Sequence, residues 1–448
     1  MSRRVLDLWG GIECTLNRVG GQRFDQLARS GHYDRPDDLD AIAALGIGTL
    51  RYPLLWERAA RALSSDYDWG FADARLARLR GLGVSPIAGL VHHGSGPDDA
   101  DVSSPRFATG LADYAAALAQ RFPWIDAYTP VNEPLTTARF CGLYGHWFPH
   151  GRSDRTFARI LFNECHGTVL AMRAIRAVNP AAKLVQTEDL GTIYSSPRLA
   201  YQADFENTRR WLTWDLLCGR VDGSHPLHAY LLACGLSPHE LGWLADNPCP
   251  PDIIGIDHYV TSDRYLDENL RRYPGHVPGG NGREAYVDIE AVRVREASGT
   301  SLRSLVLEAS RRYGLPLALT EVHIGCSPAE QIRWLGDAWT TVSSLAAIGV
   351  DIRAVTAWAL LGSYDWDSLL TKDLGRYEPG TFRVSGAALE RTAVADFVAG
   401  LATGRENVAV TSPGEGWWRR PDRLIYPIPL EHPAALRQPA GFGQRSRQ

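Results

Sequence analysis

Two glutamates stand where the chain could do acid–base chemistry. Glu133 lies in Thr129-Pro130-Val131-Asn132-Glu133-Pro134, directly after Trp124-Ile125-Asp126-Ala127-Tyr128, an apolar run that reads as a short buried strand. A carboxylic acid thus sits beside an amide where the strand must stop at a proline. Glu321 ends a second buried run, Leu315-Pro316-Leu317-Ala318-Leu319-Thr320. Two strand-end carboxyls are what glycoside hydrolysis needs: one protonates the leaving oxygen, and the other attacks the sugar or activates water. Thr187-Glu188 is a rival strand-end Thr-Glu. Glu321 is preferred because its run is seventh in the count of strands.

The elements that must position these groups can be read from periodicity. Eight β-like runs occur, at Val5–Trp9, Gly48–Tyr52, Val84–Val91, Ile125–Val131, Lys183–Thr187, Asp252–Ile256, Leu315–Thr320 and Arg353–Trp358. Helical spacing lies between most of them, at Asp37–Leu45, Phe71–Leu82, Pro105–Arg121, Phe157–Val178, Leu302–Tyr313 and Ala329–Ile348, and after the last at Val384–Leu401. Alternating strands and helices imply a parallel sheet, and eight units imply an α/β fold of the (β/α)8 TIM-barrel type. A doubly wound sheet is the alternative, but only Gly10-Gly11 follows the first run, without a dinucleotide fingerprint. Two long segments, Gly142–Arg155 and Thr261–Ala297, follow strands and should rise on the C-terminal face, where barrel active sites lie. The expected organisation is one barrel domain over residues 1–404, then a Pro-, Gly- and Arg-rich tail over 405–448 that is partly disordered.

Composition narrows the class. The 448 residues are 45% hydrophobic and 22% charged, as in a soluble globular protein, and a formal net charge of −4 points to neither nucleic acid nor an anionic membrane as partner. No apolar run reaches membrane-spanning length, and the start lacks the apolar core of a signal peptide. The seven cysteines are scattered, with no Cys-x-x-Cys, which favours reduced thiols and a cytoplasmic location. Fourteen tryptophans favour a carbohydrate ligand, since sugar sites use aromatic faces. His92-His93 and His146/His150 lack acidic partners at ligand spacing, so neither metal nor cofactor is expected.

Several motifs in order resemble one family. Leu8-Trp9-Gly10-Gly11, Arg51-Tyr52-Pro53-Leu54-Leu55-Trp56-Glu57-Arg58, Leu90-Val91-His92-His93 with Pro97, Thr129–Pro134, Asp252–Tyr259, Thr320-Glu321 and Trp358 through Trp366 resemble the family 1 glycoside hydrolases. These are the β-glucosidase-like members of the clan of (β/α)8 retaining glycosidases. The resemblance runs over roughly Leu8 to Trp366. It implies a retaining β-glycosidase acting on a small glycoside or oligosaccharide by double displacement. Glu133 would be the acid/base and Glu321 the nucleophile. Arg51 would keep Glu321 ionised, with Tyr259 as a phenol donor to it. Asn132 would hold the sugar 2-hydroxyl, His92 a ring hydroxyl, and Trp358 would lie under the ring. Trp366 would belong to the same sugar site.

The departures from the family concentrate among residues that read sugar hydroxyls. Val322-His323 replaces Asn-Gly after the nucleophile, Asp257 replaces an asparagine, His258 a tyrosine, and His93 a tryptophan. Asp365 stands for a glutamate one methylene longer, and Glu13 or Asn17 could stand in for a first-strand glutamine. Leu374-Gly375-Arg376-Tyr377-Glu378-Pro379-Gly380 resembles glycosidase-like domains attached to sugar-nucleotide reductases. The pattern therefore implies a modified sugar. It leaves two rivals: a non-catalytic sugar-binding barrel, and a transglycosidase that shares the same intermediate.

Overall fold

The computed structural model describes residues 6–63, 66–273, 275–276, 278–295, 300–386, 388–404 and 414–426. Eight parallel strands close a barrel: β1 Asp7–Gly11, β2 Thr49–Pro53, β3 Ser85–His92, β4 Ala127–Asn132, β5 Lys183–Asp189, β6 Ile253–Asp257, β7 Leu317–Val322 and β8 Ile352–Ala357. Each coincides with one of the runs read from sequence, and the (β/α)8 expectation holds. The barrel closes where Asp7 pairs with Ala354 on one side of β1, and Gly11 with Arg51 on the other.

Period-two alternation decides what faces inward. Trp9, Ile87, Val185, Ala318 and Ala354, with Ala127 and Ile253 against them, form one apolar cluster drawn from seven strands. That layer plugs the barrel. Two residues further along, the same inward face carries Gly11, Thr129, Thr187, Thr320 and Thr356 in place of large apolar groups. The polar layer lies at the strand C-termini, so a site can form only at that end.

The outer helices bury their apolar stripes on the barrel. They include α1 Gly70–Gly81, α2 Arg106–Arg121, α3 Asp154–Val178, α4 Leu302–Tyr313, α5 Pro328–Ala347 and α6 Ala393–Ala402. Phe107, Leu111, Tyr114, Ala115 and Leu118 of α2 are all buried, as their spacing predicts. No helix among the described residues is long and apolar enough to cross a membrane.

Three readings of the chain need correction. The helical pattern over Val384–Leu401 begins as a hairpin, Phe382–Ser385 paired with Ala388–Arg391, and α6 starts only after Thr392, whose side chain accepts from Val394 N. Gly386, at φ 58°, makes the turn. Thr261–Ala297 is not simply a loop: Arg264–Asp267, Ala285–Glu290 and Gly279–Gly280 join Ile193–Ser195 in a separate four-stranded sheet. Between β5 and β6 lie helices that went unread, at Ala200–Arg209, Leu212–Leu217, His228–Ala233 and Pro238–Asp246. Of the tail, 414–426 packs on α5: Trp418 is buried edge-on to Trp334, and Arg420 pairs with Glu330 at 3.1 Å. Positions 405–413 and 427–448, which include Gly441–Gln448 where disorder is expected, lie outside the described residues.

Candidate active site

Local chain geometry aims the two glutamates into the barrel mouth. β4 pairs with β5 only through Ala127–Lys183 and Tyr128–Leu184. Pro130 has no N–H to extend the ladder, and side chains take over: Thr129 Oγ1 donates to Val185 O (2.8 Å) and Gln186 Nε2 to Val131 O (2.9 Å). Glu133 then turns the chain at φ 45°, in the left-handed region, with Pro134 opening the short helix Pro134–Ala138. In β7 the pairing with β6 shifts register between Leu319 and Glu321. Such an irregularity re-aims side chains, and here Thr320 and Glu321 both reach the mouth although adjacent.

Three carboxyl groups converge there. One oxygen each from Glu133, Asp257 and Glu321 lies within 4.8 Å of the others, and all three residues are buried. Arg51 is the fixed cation of the cluster. Its Nη1 donates to Glu321 Oε1 (2.8 Å) and Thr320 O (2.7 Å), its Nη2 donates to Asn132 Oδ1 (2.6 Å), and Asp257 Oδ1 is 3.9 Å away. The Tyr259 hydroxyl donates to Glu321 Oε2. Thr320 Oγ1 donates to Asp257 Oδ1 at 2.6 Å.

The donors are shared unequally, and this fixes the electrostatics. Burial, then the charges of Asp257 and Glu321, push the Glu133 carboxyl well above the ordinary carboxylate range. Burial and Asp257 push Glu321 up as well, against the opposing pull of Arg51 and Tyr259. Burial raises Asp257, opposed by Arg51, Glu133 and Thr320. Three such groups cannot all be charged in so small a space. Charge is best tolerated on Glu321, with its guanidinium and phenol donors, and the proton is best held on Glu133.

The other residues singled out from sequence divide into two groups. Asn132, His92, His93 and Trp358 join the cluster. Asn132 Oδ1 also accepts from Thr187 Oγ1 (2.8 Å), and its Nδ2 faces His92 Nε2 at 3.4 Å. His92 stacks on Trp358 with centroids 5.7 Å apart, and Arg51 lies 4.8 Å over the same indole. His93 places Nε2 3.7 Å from Glu133 Oε2 and Nδ1 2.8 Å from Thr137 Oγ1. Burial, with Arg51 adding to it, lowers His93 to about 3, so its contact with Glu133 is not an ion pair. Trp366 packs edge-on to His93, and Glu13 is buried with its Oε1 on Thr15 N.

The remaining ones stand apart from the cluster. Both Asp365 oxygens are occupied inside the protein: Oδ2 by Arg29 Nη1 (2.8 Å) and the amides of Leu374 and Gly375, Oδ1 by the amide of Arg376. Burial opposes its charge, but these donors outweigh it and hold the carboxyl below the usual range. Asp365 thus pins the loop after β8. Asn17 is buried on the strand Leu16–Val19, and neither its Nδ2 nor its Oδ1 has a hydrogen-bond partner. His258 bonds Leu190 O and stacks on Trp334 of α5, and His323 lies 3.8 Å from Glu378.

Glu188, the rival of Glu321, has a different task. It accepts from Leu135 N, Thr136 N, Thr136 Oγ1 and Thr213 Oγ1. Burial lifts it to about 7 against these four bonds. It anchors the first turn of the helix that Glu133 opens. Sequence reasoning missed Thr187 and Thr137, which orient Asn132 and His93, and Trp147, whose Nε1 reaches Leu369 O (2.8 Å) while its ring packs on His93. The Gly-, His- and Pro-rich composition of 142–155 was the available signal for Trp147. Among the described residues, Glu133, Asp257 and Glu321 are the one His/Cys/Asp/Glu group spaced to share an ion, and Arg51 already supplies a cation there.

Comparison with known proteins follows the same line. No protein-family model matches the chain. It is 23% identical to beta-glucosidase 47 of Arabidopsis thaliana over 414 residues, covering 84% of this chain and 76% of that one. It superposes on the β-glucosidase from Thermotoga maritima in complex with deoxynojirimycin with a TM-score of 0.70 at 14% identity, covering 89% of this chain and 97% of the other. The family 1 β-glucosidase of that organism in complex with isofagomine lactam gives a TM-score of 0.70 at 15% identity, with the same shares covered. The resemblance read from the motifs is thereby borne out, and the fold is that of the β-glucosidase barrels.

Proposed function

We propose that the chain is a divergent family 1 glycosidase that cleaves a small O-β-glycoside with retention of configuration. One observation carries the reading. Glu133 and Glu321 present oxygens within 4.8 Å of each other, and only Glu321 holds the Arg51 and Tyr259 donors. Retaining enzymes keep their carboxyls about 5–5.5 Å apart, whereas inverting ones need roughly 6.5–9.5 Å to admit a water.

The steps follow from the proton inventory. Glu133, protonated in the resting site, donates to the glycosidic oxygen as the bond to C1 breaks. Glu321, ionised, attacks C1 from the opposite face and forms a glycosyl-enzyme ester. Glu133, now a carboxylate, takes a proton from water, which attacks C1 and releases Glu321. His93 is neutral and beside Glu133, so it neither competes for the negative charge nor quenches it. The seven free cysteines fit a reducing compartment, and we read the protein as cytoplasmic.

The test is a pair of substitutions on aryl β-glycosides. Glu321→Ala should abolish turnover, and azide should restore it with a glycosyl azide of inverted configuration. Glu133→Ala should spare glycosides with good leaving groups, which need little protonation. Equal loss on good and poor leaving groups in a folded Glu133→Ala protein would remove Glu133 from the acid role.

A further inference from the structure

Double displacement uses two carboxyl groups, and this site holds three. Asp257 is fully buried, and its oxygen lies within 4.8 Å of both Glu133 and Glu321. Thr320 serves Oδ1, no hydrogen bond of the protein reaches Oδ2, and the Glu133 carboxyl neighbours the group. We propose that Asp257 receives an ammonium group on C2 of the sugar, so that the substrate is a glycoside of a 2-amino-2-deoxy sugar with its amine free. The proposal rests on the glycosidase reading above and names its substrate class.

Position comes first. The nucleophile must sit at bonding distance from C1, and the acid within a hydrogen bond of the oxygen attached to C1. A third carboxylate this close to both reaches the substituent on the carbon next to C1. The amine is therefore placed on C2, not on the remote C4 or C6.

Chemistry comes second. The amide that would otherwise read a 2-hydroxyl is largely engaged: Asn132 Oδ1 accepts from Arg51 and Thr187, and one of the two N–H groups of its Nδ2 faces His92 Nε2. Arg51 Nη1 is taken up by Glu321 and Thr320. What remains beside C1 is Asp257 Oδ2, which makes no hydrogen bond to the protein and whose neighbouring acid, Glu133, gives its proton to the leaving oxygen. An ammonium is the matching group, with three N–H donors and no acceptor. Charge agrees with this. Arg51 is the one cation in contact with the cluster among the described residues, since burial keeps His92 and His93 neutral. An arriving cation would give Asp257 a second partner beside Arg51, which is 3.9 Å from Oδ1 and already shared with Glu321, and a buried carboxylate short of partners is costly.

The experiment compares 4-nitrophenyl 2-amino-2-deoxy-β-glycosides with the matching 2-hydroxy glycosides, in the gluco and galacto series, on wild type and Asp257→Asn. The expected result is a kcat/KM at least about tenfold higher for the amino glycoside in one series, a gap of one decade in the rate constant. That preference should be lost or reversed in Asp257→Asn. Equal or better turnover of the hydroxy glycosides by wild type, or a preference unchanged in the variant, overturns the proposal. If no glycoside is turned over, the glycosidase reading itself fails, and binding decides. Calorimetric titration should then find glucosamine or galactosamine bound more tightly than its neutral counterpart by wild type, and not by Asp257→Asn. Equal or absent binding of the amino sugars overturns the proposal on that arm.

Discussion

At the scale of single residues, the site depends on how each buried carboxyl is partnered. Glu188 and Glu321 are indistinguishable in local sequence, each a Thr-Glu at a strand end, yet one anchors a helix turn with four accepted bonds and the other faces Arg51 and Tyr259. The difference lies in neighbours from other strands, which no local pattern encodes. Asp365 makes the same point. Its type and position mark it as a sugar reader, but the amides of Leu374 to Arg376 fold back onto it. A test follows for Glu188. Replacing it with glutamine puts an N–H group among donors that need an acceptor, and leaving buried donors unpaired costs about 1–3 kcal/mol. Glu188→Gln should lose stability of that order in denaturant unfolding. It should also lower kcat more than it raises KM, because the turn that aims Glu133 loosens. An unchanged kcat in the folded variant would detach Glu188 from the positioning of Glu133.

At the scale of elements, the strands were legible and the connections were not. Buried parallel strands read as continuous apolar runs, so all eight could be found, and the helices between them show a clear 3.6-residue stripe. The hairpin before α6 is hidden from periodicity because its two strands have four residues each and are largely exposed, and the outer sheet of 264–290 because its strands are short and one of them pairs with Ile193–Ser195, distant in sequence. One close approach between elements is at the barrel mouth, where the end of β1 meets the residue after β8. A Cβ built on Gly11 would lie 2.3 Å from Cε3 of Trp358. Trp358 in turn carries Arg51 and His92 on its ring. Gly11→Ala must displace the indole, and overpacking of this kind costs about 1–3 kcal/mol. We expect a lower unfolding midpoint and a fall in kcat/KM together. A variant with wild-type kinetics would mean that the Trp358 position is not needed for the sugar site.

At the scale of the whole molecule, the barrel gathers residues from β2, β4, β6 and β7 into one mouth, and that convergence was the legible part of the site. The buried polar groups behind it were not legible, since nothing in a helix sequence says whether an inward glutamate will find a partner. Glu164 of α3 is the sharpest case: fully buried, with neither side-chain oxygen hydrogen-bonded, and pushed well above its ordinary range by burial and then by Glu188. Its surroundings thus favour the neutral acid in the folded protein. The sign of its effect on stability can be worked out. Below pH ~4.5 both folded and unfolded chains hold this proton, and Glu164 adds no pH dependence. As pH rises past that value the unfolded chain releases the proton while the folded chain keeps it. The folded state then loses stability by about 1.4 kcal/mol per pH unit, until the folded carboxyl itself titrates. Glu164→Gln keeps the shape and removes the proton equilibrium. The unfolding free energies of wild type and Glu164→Gln, measured from pH 5 to 8, should therefore diverge with rising pH, the variant becoming progressively the more stable. Parallel curves across that range would mean that Glu164 is ionised and paired in the folded state, contrary to its environment here.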